Sequence, residues 1–148
     1  MVETKNVTRV SMRYHDTQIT KASICSSNNA ADFIRKHLYG DDIHLYESMF
    51  ILLLDVGNNV ISYAKISQGT INGTISDVKI VMRYALENLS FGIILCHNHP
   101  SGQLKASQSD INTHNKFKKA FNIFDISYID NLIITPESHK SFADDGMM

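Results

Sequence analysis

The sequence predicts an α/β domain, a mixed β-sheet flanked by about three helices. Three short, unbroken apolar runs at residues 49–54, 91–96 and 132–134 carry that prediction, because their length and continuity suit strands buried on both faces. Between them, apolar residues recur at helical spacing, and Gly, Asn, Asp and Pro mark the joins. No internal repeat, low-complexity tract or linker interrupts the 148 residues, so 1–148 is expected to form one domain, with residues 1–6 polar and frayed.

Taken in order, Val10, Met12 and Tyr14 alternate with Ser11 and Arg13 and predict a strand. Ser26 and Ser27 then offer N-caps to a helix carrying Ala30, Phe33, Ile34, His37 and Leu38, with Gly40 as its stop. His37 reads as a packed or half-exposed histidine rather than a ligand. The strand 49–54 closes at Asp55, Gly57, Asn58 and Asn59, and a strand over about 60–67 pairs back across that turn. A second helix begins near Ser76-Asp77 with Val78, Val81, Met82, Ala85 and Leu89 on one stripe and Glu87 off it, in solvent.

That helix feeds the strand 91–96. A third helix over 108–121 bears Ile111, Phe117, Ala120 and Phe121. Its Lys116, Lys118 and Lys119 read as a solvated face suited to the C-terminal dipole, or as a contact for a partner or phosphate. Residues 123–135 predict a strand or hairpin ended by Pro136, and 141–143 a short edge strand.

Hydrophobic residues make up 43% and charged residues 20%, a balance that excludes a disordered chain. No apolar run reaches the roughly 20 residues of a membrane span and no signal-peptide pattern opens the chain, so it reads as cytoplasmic, without a membrane partner. A net charge of −1 and a pI near 6.6 lack the basic bias of many nucleic-acid binders. Cys25 and Cys96 suggest neither a disulfide framework nor a thiolate zinc site. Oligomeric state is not legible.

The chemistry concentrates in residues 96–110, Cys-His-Asn-His-Pro-Ser-Gly-Gln-Leu-Lys-Ala-Ser-Gln-Ser-Asp. Alternation along an extended chain puts His97 and His99 on one face and aims Cys96 at the other. Pro100 to Gly102 turn the chain, and a helix opening at Ser107 can swing Asp110 back over the histidines. Two imidazoles and a carboxylate leave a fourth tetrahedral position for water, the plan of catalytic zinc sites. Ser107-x-x-Asp110 alone is an ordinary helix-capping signal. Glu47, at the mouth of the strand 49–54, is either a solvated strand-end charge or a general base facing the site.

The combination His-x-His, seven residues, Ser, two residues, Asp resembles the JAMM (JAB or MPN+) metalloprotease motif. The stretch His97-Asn98-His99-Pro100-Ser101-Gly102, with Ser107, Asp110-Ile111, Gly69-Thr70, Ile129-Asp130 and residues 141–146, is similar to the RadC branch of that family, from about residue 20 to the C-terminus. The resemblance implies a JAB/MPN-like curved mixed sheet with flanking helices, in a layout like that of cytidine deaminases. It implies one Zn2+ held by His97, His99 and Asp110, Glu47 as general base, Ser107 as donor to the developing oxyanion, and a protein or peptide substrate cleaved at an amide or isopeptide bond. Asp130 and His114 are expected as acceptors behind the metal-binding histidines, with plain surface as the alternative for His114.

Three departures from the RadC pattern bear on substrate preference: Asn131 stands where His usually follows Asp, His114 replaces a more typical Thr, and Ala106 replaces a common Pro. RadC proteins also carry a DNA-repair label. A second reading is therefore an accessory protein of DNA repair or mobile elements that binds DNA or protein around a chiefly structural metal. Against DNA, this chain is expected to lack the helix-hairpin-helix segment of longer members. Deaminase chemistry is set aside because no Pro-Cys-x-x-Cys is present. The letters His97-Asn98-His99 match the name of the HNH nucleases only by accident, since that name refers to residues far apart in sequence.

Overall fold

The computed structural model of the protein describes residues 22–69 and 76–148. The strand expected around Val10, Met12 and Tyr14, and Thr70 of the Gly69-Thr70 pair, lie outside the described residues. Helix α1 (Ser27–His37) starts where the Ser26 hydroxyl accepts a hydrogen bond from the Asn29 amide, satisfying one of the amides that a helix start leaves open. The helix ends at Leu38, and Gly40 opens a short 3₁₀ turn, Asp41–His44, that the sequence pattern did not predict.

Strand β1 (Ser48–Leu54) is buried throughout, as its continuous apolar run requires. Asp55 then accepts from the amides of Gly57 at 2.8 Å and Asn59 at 2.9 Å, and Asn58 takes a left-handed φ of 58°. These contacts turn the chain into β2 (Val60–Gln68), antiparallel to β1. Helix α2 (Val78–Glu87) is capped by the Asp77 side chain, and Val81, Met82 and Ala85 are buried as predicted. Leu89 is not. Asn88 ends the helix by donating its side-chain amide to the Tyr84 carbonyl, and Leu89 then enters a left-handed φ of 49°, which carries it off the stripe to 88% exposure.

Strand β3 (Gly92–Asn98) is also buried throughout. Its first residue must be small, because a Cβ on Gly92 would lie 2.7 Å from Ile129 Cδ1. Helix α3 (Gln108–Ile123), strand β4 (Ser127–Ile134) and strand β5 (His139–Ser141) complete the order. The last two boundaries correct the sequence expectation. Ile123 belongs to the final turn of α3, where it is 77% exposed, and a left-handed Asp125 reverses the chain before β4 begins. The edge strand lies at His139–Ser141 rather than 141–143, because the chain turns after Ser141 through Gly146 at a φ of 69°.

Among the described residues, five strands form one mixed sheet in the order β2-β1-β3-β4-β5, with β3 and β4 parallel and the other neighbours antiparallel. This α/β arrangement, one mixed sheet with three helices, is the predicted fold class. Alternation sends Phe50, Leu52, Leu54, Ile94, Cys96, Leu132 and Ile134 against α1. Met49, Ile51, Leu53, Ile93 and Leu95 pack against α2 and α3 through Val81, Met82, Phe117 and Phe121. The central strands are thus fixed from both sides. Their ends, where β3 gives way to the turn before α3, are held in place by that double layer.

Candidate metal centre

His97 is the next residue after Leu95 on the α2/α3 face of β3, and His99 follows two positions later, one residue past the strand. The chain stays in line with the sheet there, because the His99 amide donates to the Ile134 carbonyl at 3.1 Å. The two Nε2 atoms stand 3.1 Å apart. His99 Nδ1 lies 2.7 Å from the Gln103 carbonyl oxygen. A carbonyl accepts only, so Nδ1 carries a proton, and Nε2 is the ring nitrogen turned toward His97 and Asp110. The Pro100–Gly102 turn makes this contact: Gly102 has a φ of 77° and its amide returns to the His99 carbonyl at 2.9 Å.

Asp110 arrives from the other side. Ser107 caps α3, its hydroxyl accepting from the Asp110 amide at 3.1 Å. The Asp110 carboxylate reaches back, and its Oδ2 accepts from both the Ser107 amide and the Ser107 hydroxyl at 2.7 Å. This reciprocal capping box fixes the side chain. Oδ1 is thereby set 3.3 Å from His97 Nε2, and Oδ2 3.6 Å from His99 Nε2. The capping signal and the ligand signal read from the sequence are therefore one structure.

The electrostatics follow from this crowding. Burial pushes the Asp110 carboxyl upward, but hydrogen bonds from His97 and His99 outweigh it and hold the group well below the usual carboxylate range. The Asp110 contact raises His99 above its ordinary value, against the opposing effect of burial, and the Gln103 carbonyl and the Glu47 charge add to the rise. The centre of the cluster favours positive charge.

The donor set also fits a metal by distance. Ligand atoms about 2.0–2.1 Å from a tetrahedral zinc stand about 3.3 Å from one another. Here the ring nitrogens stand 3.1 Å apart, and each lies close to a different Asp110 oxygen, His97 Nε2 3.3 Å from Oδ1 and His99 Nε2 3.6 Å from Oδ2. His97, His99 and Asp110 form the one group of three such residues, among the described residues, with ligand atoms mutually within 4.8 Å.

Glu47 faces the same space. The antiparallel register pairs Met49 with His97, and continuing it by two residues sets Glu47 opposite His99 on the same face. Glu47, His97, His99, Ser107, Asp110 and Asn131 line a common cleft of about 320 Å³.

A family model for the RadC-like JAB domain matches residues 24–147. The chain belongs to the RadC-like JAB domain family. It is 42% identical over 135 residues to a UPF0758 protein of Flavobacterium johnsoniae, covering 91% of this chain and 58% of that protein. Identity to a UPF0758 protein of Porphyromonas gingivalis is 37% over 103 residues, covering 69% and 45% of the two chains. For a UPF0758 protein of Pseudoalteromonas translucida it is 32% over 149 residues, covering 99% and 65%. The chain thus spans 45–65% of the length of these relatives.

Within this RadC-like JAB domain two expected site residues lie elsewhere. Asp130 accepts from the Ser141 hydroxyl at 2.6 Å and from the amides of Ala143 and Asn131 at 3.0 and 2.7 Å, so it ties β4 to the C-terminal segment rather than orienting a metal-facing histidine. Burial raises its carboxyl, with those three hydrogen bonds opposing the rise. His114 is neither behind His97 and His99 nor on the surface. At 2% exposure it packs against Tyr128 and Phe142, with Nδ1 3.2 Å from the Tyr128 hydroxyl and Nε2 3.2 Å from the Met147 carbonyl.

Sequence reasoning missed the Gln103 carbonyl as the partner of His99, because a backbone group has no residue signature. It also noted Asn131 only as a departure from a pattern. The register places Asn131 beside Leu95, on the face of His97, and it lines the cleft. Cys96 is where alternation put it, buried on the opposite face, its thiol pushed up by burial.

Proposed function

We propose that this domain is a zinc-dependent hydrolase of amide or isopeptide bonds in protein or peptide substrates. The observation that carries the reading is the convergence of His97, His99 and Asp110, whose donor atoms approach one another within a metal's reach, in one cleft with Glu47. Zinc held by those three residues would supply a water acidified to a pKa of about 7 and a Lewis acid for the substrate carbonyl. The chain's own groups do the rest. Glu47 takes the proton released as the nucleophile attacks and delivers it to the leaving amine. The Ser107 hydroxyl, which donates to Asp110 Oδ2 in this structure, turns to the carbonyl oxygen as that atom gains negative charge. The Ser107 amide keeps its own bond to Asp110 meanwhile, so the carboxylate stays placed.

The cleft itself supports an extended polypeptide over a small ligand. Its lining is largely polar, with Gln103, Lys105, Ser109 and Thr113 around the metal-binding residues, and such groups pair readily with backbone amides and carbonyls. The test is a pair of variants assayed for bound zinc and for hydrolysis of peptide and isopeptide substrates. Glu47→Gln is expected to keep zinc and lose hydrolysis, whereas His97→Ala loses both. An active Glu47→Gln protein would sink the general-base assignment.

A further inference from the structure

Asn98, between the two histidines, points away from the cleft and is fully buried. A buried carboxamide that bonds to nothing is costly, and this one is saturated. Its Oδ1 accepts from the Ser48 amide at 2.7 Å. Its Nδ2 donates to the Ile43 carbonyl and to the Tyr46 carbonyl, each at 2.7 Å. The orientation is fixed by chemistry, since an amide can only donate to Oδ1 and carbonyls can only accept from Nδ2.

Two of these three bonds grip the chain immediately before and after Glu47. A third clamp comes from just past the end of β2, where the Gly69 amide donates to the Glu47 carbonyl at 2.8 Å. Glu47 lies one residue before β1 begins, and Tyr46 and Glu47 belong to neither the strand nor the preceding 3₁₀ turn. The regular strand therefore stops one residue short of Glu47, and the register that sets it opposite His99 is carried on by these contacts. Asn98 supplies two of them from between His97 and His99, so one strand end supports metal ligands and base together.

We infer that Asn98 is a positioning residue for Glu47, holding that carboxylate in register with the His97 and His99 imidazoles while touching neither substrate nor metal. The inference rests on the proposed general-base role of Glu47. It predicts that loss of the Asn98 side chain disables Glu47 without emptying the metal site, because His99 is held by the Ile134 and Gln103 carbonyls, Asp110 by the Ser107 cap, and His97 by its strand pairing with Met49 and Ile133.

The test uses a readout other than turnover. The chain is loaded with Co2+, and binding of acetohydroxamic acid is followed by visible absorption, with azide as a second probe. Acetohydroxamic acid binds as its anion, and the proton it gives up passes to a neighbouring carboxylate, so its affinity reports a placed Glu47. Azide is already an anion and needs no base. Glu47→Gln is expected to weaken acetohydroxamate by about tenfold or more, the scale of one lost charge-assisted hydrogen bond. Asn98→Ala should weaken it comparably, leave Co2+ and azide affinity within about threefold, and add nothing further in the Glu47→Gln background, as coupled residues do.

Wild-type acetohydroxamate affinity in Asn98→Ala, alongside a weakened Glu47→Gln, overturns the inference alone. Wild-type affinity in Glu47→Gln overturns the general-base reading itself, and the inference falls with it. Should Asn98→Ala not fold, Asn98→Ser, which keeps a hydroxyl in the buried site, takes its place under the same expectations. If neither variant loads Co2+, or if azide weakens in parallel with acetohydroxamate, Asn98 supports the whole site rather than Glu47, and the inference is wrong.

Discussion

Replacing Ser107 by Ala separates two roles that its hydroxyl carries. In the structure the hydroxyl accepts from the Asp110 amide at 3.1 Å and donates to Asp110 Oδ2 at 2.7 Å. Removing an N-cap hydroxyl costs about 0.5–2 kcal/mol, and Gly at the same position costs only a few tenths. The bond to Asp110 adds little in the variant, because the Ser107 amide still reaches Oδ2 at 2.7 Å. Taking about 1–2 kcal/mol, and about 2–4 °C per kcal/mol for a domain of this size, Ser107→Ala should lower the midpoint of thermal unfolding by about 2–8 °C. Ser107→Thr should stay near wild type and Ser107→Gly should fall between. If Ser107 also stabilises the oxyanion, Ala and Gly should lose hydrolysis equally, by roughly 10²–10³-fold, despite their different stabilities. The assay is thermal unfolding by circular dichroism on metal-free protein, with hydrolysis on the zinc-loaded form. Ser107→Ala melting with the wild type would refute the capping argument. Hydrolysis that tracked stability across Ala, Gly and Thr would refute the second role.

Two further outcomes follow from buried groups. Burial lowers the affinity of His114 for a proton, so as pH falls through about 6.5 the unfolded chain protonates this residue before the folded one, and stability drops toward acid. Urea midpoints at pH 7.5 and 5.5 should therefore differ less for His114→Gln than for the wild type; equal differences would contradict the burial argument. Cys25 is exposed and Cys96 buried, so a thiol reagent should label about one cysteine per native chain and two in denaturant. Rapid labelling of both in the native protein would refute the packing of Cys96 against α1.

Much of the fold was legible because its signals are local. Buried strands announce themselves as apolar runs, and Ser26, Asp77 and Ser107 each stand at a helix start with a side-chain oxygen on a backbone amide. The pairing of His97 with His99 followed from alternation alone. What escaped depended on contacts between distant residues. His114 was expected behind His97 and His99 or on plain surface, yet Tyr128, Phe142 and Met147 close over it from β4 and the C-terminal segment. Asp130 was assigned to the metal-binding histidines by resemblance, whereas the return of residues 141–143 beside β4 supplies three donors for its carboxylate once Asn131 is included. Leu89 continued a stripe on paper, but the Asn88 cap ended the helix first. Asn98 stood inside the RadC-like stretch, but its contacts were not legible there, since its partners lie 50 or more residues earlier in the chain.

Among the described residues, no helix is long and apolar enough to cross a membrane. The relatives in Flavobacterium johnsoniae and Porphyromonas gingivalis extend well beyond the region this chain matches. The chemistry proposed for the cleft depends on a narrower point, whether three side chains at the end of β3 and the start of α3 hold a metal.

Elemental analysis of the purified wild type and of a His97→Ala/His99→Ala variant tests that point most directly. The account predicts about one zinc per wild-type chain and none retained by the variant. Equal metal in the two proteins, or none in the wild type after zinc is added, would contradict it.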